Sequence, residues 1–148
     1  MEPETLDRKP EFERIVVGFD DTEPAWRALG RAAQLAKAFS ATVIVTSVAR
    51  PLVPAGHGIG PVDPADSPQL HREQLGRAEA YLATLGVEAE CEVGLGEPAA
   101  QIVRLANHHY ADLIVVGTRE PDLIERVLGL SVSSAVERRA HCDVLIVH

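Results

Sequence analysis

Apolar residues follow two alternating patterns along this chain. RIVVGFD (14–20) and DLIVVG (112–117) are apolar runs that read as buried parallel strands, and β-branched ATVIVTSV (41–48) and CDVLIVH (142–148) read as two more strands. A fifth segment, VEAECEVG (87–94), alternates apolar with polar residues, as an edge strand with one wetter face would. Between the runs the spacing changes to that of helices. Trp26, Leu29, Ala33 and Ala36 follow a Thr22 cap and Pro24, which predicts a helix over 22–39. Ser67-Pro68 opens a second helix, whose stripe of Leu75, Ala78, Leu82 and Leu85 stops at Gly86. Gly96-Glu97-Pro98 starts a third, with Ile102, Leu105 and Ala106 inward. The last runs from Ser131 to Ala140 on Val132, Ala135 and Val136.

Strands alternating with helices imply the α/β class: one domain with a five-stranded parallel sheet covered by helices on both faces. Right-handed crossovers leave few topologies, and order 3-2-1-4-5 puts the most apolar strands at the centre. The polar, acidic residues 1–12 read as a flexible tail before a domain spanning 13–148. Residues 50–68 hold five prolines and three glycines, which predicts a long mobile loop without regular structure.

Composition narrows the function classes. The net charge of −8 argues against a broad nucleic-acid surface, which needs a basic patch. Apolar runs are too short to span a bilayer. The N-terminus has neither a basic start nor an apolar stretch, so no secretory signal is expected and the reading is cytoplasmic. Cys91 and Cys142, on opposite edges in this order, are expected to be free, mostly buried thiols.

In an open parallel sheet, ligands bind beyond the carboxyl ends of the strands where the winding reverses. Here that point lies between strands one and four, so Asp20 and Gly117 should face one crevice. Val48, at the end of strand two, adjoins it. Ser131 opens the last helix, whose free N–H groups and dipole favour an anion. Each residue has a plainer reading too: Ser131 as a cap, Asp20 as a turn former, Arg119 as a solvated charge. No catalytic constellation or metal site is visible. His108 and His109 are adjacent and diverge on a helix, His57 falls in the long loop, and the six histidines read as structural or surface residues.

Three segments together carry a family resemblance: RIVVGFDDTEPAWRAL, GEPAAQIVRLANHHYADLIVVGTR and RVLGLSVSSAVERRAHCDVLIV. In this order and spacing, over 14–148, the chain resembles the universal stress protein family. The resemblance implies a Rossmann-like fold of the adenine nucleotide alpha hydrolase type, with strand order 3-2-1-4-5. The family opening V-G-x-D-G-S stands here as VGFDDT. Its nucleotide signature G-x2-G-x9-G-[S/T] places Gly117 at the first glycine and Ser131 at the hydroxyl, with Glu120 and Leu130 replacing the other two glycines. By position, Asp20 and Val48 would hold the nucleoside end, and Val116, Gly117, Arg119, Ser131 and Val132 the ribose and phosphates. Leu130 blocks close backbone approach and Glu120 repels a polyphosphate. The expectation is a stress-response or partner-binding factor with weak or no ATP binding and no dedicated cofactor. The alternative is a regulator binding AMP, a cyclic nucleotide or ATP. A nucleotide hydrolase is a third reading, without a visible base and nucleophile. The family commonly dimerises through strand five, which here is Val144, Leu145, Ile146 and Val147, an apolar edge blunted only by Asp143 and His148.

Overall fold

The computed structural model describes residues 12–51, 63–118 and 131–148. Residues 1–11 of the tail, 52–62 of the long loop, and Arg119, Glu120 and Leu130 lie outside that set. Five strands, β1 (Arg14–Gly18), β2 (Thr42–Ala49), β3 (Ala89–Leu95), β4 (Leu113–Gly117) and β5 (Asp143–Val147), form one parallel sheet in the order β3-β2-β1-β4-β5. Helices α1 (Glu23–Phe39), α2 (Pro68–Thr84), α3 (Pro98–His108) and α4 (Val132–Arg139) cover it. The expected fold class and strand order are both present.

Alternation along each central strand divides the core in two. Ile15, Val17, Val43, Val45 and Val115 face α1 and α2, where they meet Leu29, Leu75 and Leu82. Val16, Ile44, Ile114 and Val116 face α3 and α4, against Ile102, Leu105 and Val136. Fully burying one such side chain is worth about 1.5–3 kcal/mol, so β1, β2 and β4 anchor the fold. β3 alternates between exposed and half-buried positions over its first four residues, as its mixed sequence implied.

The helix ends follow local chemistry. Thr22 caps α1 by accepting from the Ala25 N–H, and Ser67 caps α2 by accepting from that of Leu70. Glu97 caps α3 with both carboxylate oxygens, one on Ala99 and one on Ala100. Gly86 takes φ +71 after α2, a backbone that glycine adopts without strain. Val87, read as the start of a strand, instead returns its N–H to Leu82 and packs at 8% exposure, so β3 begins two residues later. Another departure is Pro64–Asp66, inside the segment expected to lack regular structure, which forms one 3-10 turn capped by Asp63. The proline at the start of that turn favours such a turn and the Asp63 side chain accepts from Ala65.

Cys91 lies on β3 and Cys142 just before β5, both half-buried and free. Burial, helped by Glu79, pushes the Cys91 thiol up to about 11. Burial also raises that of Cys142, with added repulsion from Asp143 and Asp112. No helix among the described residues is long and apolar enough to cross a membrane.

Candidate functional site

β1 and β4 are neighbours, yet the chain leaves β1 towards β2 on one side and reaches β4 on the other. Their connections therefore part at the carboxyl edge and open a cleft of about 500 Å³. That volume lies in the range of small-molecule sites. Asp20, Val48, Val116, Gly117, Ser131 and Val132 all line it. Six of the seven sequence-derived candidates thus converge, and Arg119 lies outside the described residues.

The β1–α1 turn is held from several sides. Asp20 Oδ1 accepts from the Thr22 N–H at 3.2 Å and from its hydroxyl at 2.5 Å, so the turn-forming role is real. It coexists with a place in the cleft wall. Asp21 stands where the family opening has glycine, and its φ is +62. Asp tolerates this left-handed backbone better than most residues. It is fixed there by the Trp26 Nε1–H, at 2.9 Å, and by the Arg77 guanidinium from α2. Phe19, Trp26 and Tyr81 stack edge to face beside it, with ring centres 5.0 and 5.7 Å apart.

The opposite wall is the start of α4. Ser131 caps the helix through the Ser134 N–H at 3.2 Å. Its hydroxyl also donates to the Ser134 hydroxyl, and that of Ser133 donates to Thr118 Oγ1 at 3.2 Å. Thr118 and Ser133 line the cleft as well. The sequence reading passed over them, although the SVSS run and the threonine after VVG were available signals. A cluster of hydroxyls at a helix N-terminus suits an oxyanion, since N–H groups and dipole act together there.

Gly117 meets a packing demand in addition to the one inferred from the signature. A Cβ on it would lie 2.3 Å from the Pro24 carbonyl oxygen. The glycine is required because α1 packs its first turn directly on the end of β4.

The least anticipated feature lies on the β2 side. Ser47 and His71 are 1% and 5% exposed. Ser47 Oγ is 2.5 Å from His71 Nδ1, and His71 Nε2 is 2.6 Å from Asp66 Oδ1. The other carboxylate oxygen of Asp66 accepts from the Arg50 N–H at 2.8 Å. An ionised carboxylate only accepts, so the Nε2–H of His71 donates to Asp66. Burial pushes the Asp66 carboxyl up, but the Arg50 N–H and the His71 ring outweigh it and hold the carboxyl below its ordinary value. The residue types are those of a hydrolase triad. The Ser47 hydroxyl, however, faces α2 in the core and has no access to a substrate. The array therefore braces the cleft wall, to which Arg50, Asp66, His71 and Gln74 all contribute. Sequence reading left His71 among the structural histidines because its partners are 5 and 24 residues away.

A parallel sheet opening a cleft at the β1/β4 crossover, with a helix N-terminus on one wall, defines a doubly wound, Rossmann-like α/β architecture. The universal stress protein family profile matches residues 11–148, and the chain belongs to that family. A universal stress protein of Methanocaldococcus jannaschii is 33% identical over 140 residues, which cover 92% of this chain and 82% of that one. A universal stress protein solved in complex with cAMP superposes with a TM-score of 0.75 at 31% identity, covering 93% of this chain and 98% of its own. Another, from Archaeoglobus fulgidus in complex with dAMP, gives 0.70 at 26% identity, covering 92% and 98%.

Proposed function

We propose that this protein is a cytoplasmic stress-response factor that binds an adenine mononucleotide and acts by binding, not catalysis. The observation that carries this reading is the convergence of Asp20, Val48, Val116, Gly117, Ser131 and Val132 on one cleft of mononucleotide size. The N-terminus of α4, with Ser131 and Ser133, takes the phosphate. The ends of β1 and β2 take the nucleoside. Similarity to proteins solved with cAMP and dAMP supports a ligand with a single phosphate. Glu120 and Leu130, where the family signature has glycine, disfavour the longer polyphosphate of ATP. The buried Ser47 hydroxyl favours a binding protein over a hydrolase.

The protein also works as a homodimer through β5. Val144, Leu145 and Ile146 are only half-buried in the single chain, and β5 is an edge. A two-fold pairing of these edges satisfies their backbone groups and covers the apolar side chains.

Calorimetric titration with AMP, cyclic AMP and ATP, with magnesium present, tests the ligand. AMP or cyclic AMP should bind at micromolar concentrations and ATP more weakly. Joint replacement E120G and L130G should then strengthen ATP. Tighter binding of ATP than of either monophosphate by the natural chain would refute the reading.

A further inference from the structure

The β2 side of the cleft carries a carboxylate, that of Asp66. Asp66 lines the cleft with its side chain 35% exposed. Behind it, among the described residues, each carboxylate oxygen is held once, by His71 Nε2 at 2.6 Å and by the Arg50 N–H at 2.8 Å. His71 is in turn held by the buried Ser47 hydroxyl. A carboxylate offers about four lone-pair positions, so two remain on the exposed side. The group is thus pinned from the core and presents acceptors to the cleft. Gln74, on the next turn of α2, lines the same wall.

An ionised carboxylate with unused acceptors has a specific demand. A bound group that brings a donor gains a charge-assisted hydrogen bond, and one that lacks it leaves the acceptors dry. A phosphate in that position meets a like charge. Arg50 lies on this wall too, and its positive charge stabilises the carboxylate. The opposite wall, by contrast, has the α4 N-terminus and its hydroxyls. These two walls favour a ligand with its phosphate towards α4 and a neutral, donor-bearing end towards Asp66.

We propose that Asp66 is a specificity-determining residue, accepting a hydrogen bond from a donor group on the nucleoside end of the ligand, with His71 and Ser47 as positioning residues that aim it. The donor is an exocyclic amine of the base or a hydroxyl of the ribose, which share this chemistry. The inference rests on the nucleotide-binding reading and adds the residue that selects the nucleoside.

Titrating the full chain with AMP, 2′-deoxy-AMP and the 5′-monophosphate of purine riboside, which lacks the 6-amino group, tests it. One analogue should bind about ten- to a hundredfold more weakly than AMP, the usual range for a lost bond to a charged group. The weaker one identifies the donor as hydroxyl or amine. In D66N, checked for folding by thermal melting, that gap should fall to about twofold. D66E keeps an acceptor and the charge one methylene further out, so it should retain more of the gap than D66N. Equal binding of all three ligands by the natural chain overturns the proposal and leaves the nucleotide reading intact, as does a gap that persists undiminished in folded D66N. No binding of any of the three overturns both.

Discussion

Replacing Gly117 with alanine separates two reasons for a glycine after VV. In the signature, a glycine allows a phosphate to approach the backbone. In the fold, Gly117 sits under the first turn of α1. An added Cβ would lie 2.3 Å from the Pro24 oxygen, 2.5 Å from the Pro24 carbonyl carbon and 3.0 Å from the Ala25 nitrogen. Non-bonded carbon contacts are comfortable near ~3.5 Å, so β4 and α1 must part by roughly 1 Å. The obstacles are backbone atoms, which no rotamer change can move. Overpacking of this kind costs about 1–3 kcal/mol, and a backbone obstacle favours the upper half of that range. For a domain of this length the melting temperature should fall by roughly 3–10 °C. Thermal unfolding followed by circular dichroism, without nucleotide, reads the effect directly. Gly117 is not among the positive-φ glycines, so alanine meets no backbone penalty of its own. If G117A melts within about 1 °C of the natural protein, the packing argument is wrong and the glycine is there for the ligand.

Two further outcomes probe other parts of the fold. Burial raises the Glu97 carboxyl, but the N–H groups of Ala100 and Ala99 and the Arg139 guanidinium outweigh it, leaving it below its ordinary value. The unfolded chain therefore takes up that proton first. The stability Glu97 contributes is present above the ordinary carboxylate range and is lost as pH falls through the depressed folded value. Urea midpoints between about pH 6 and 3 should decline less steeply for E97Q than for the natural chain, and parallel curves would show that the cap is not titrating. At the β5 edge, I146P removes a pairing N–H and should shift the protein towards monomer in sedimentation. A natural chain already monomeric at tens of micromolar, or a fully dimeric variant, would place the interface elsewhere.

How much of this could be read from the sequence depends on the range of each interaction. Strands β1 and β4 carry short apolar runs because both faces of a central parallel strand are covered, and that requirement is written residue by residue. Caps at Thr22, Ser67 and Ser131 are contacts over two or three residues, so they too were visible. The crossover rule then turned the order of elements into a site. The resemblance to known proteins supplied its nucleotide reading, and Asp20, Val48, Val116, Gly117, Ser131 and Val132 do meet in one cleft.

Tertiary structure decided what depends on distant partners. Ser47, Asp66 and His71 lie on a strand, a turn and a helix, with no spacing that announces them, and only the packing of α2 on β2 closes the array. Asp21 looks like a conservative loss of a glycine, until its left-handed backbone and its bonds to Trp26 and Arg77 explain why an acid can stand there. Gly117 reads as a cleft glycine in one dimension, and three dimensions add the Pro24 backbone that a Cβ there would strike. Periodicity reports which face of an element is buried, since burial repeats along the chain. It carries no record of which side chain lies across the interface, because that is set by the relative placement of elements far apart in sequence.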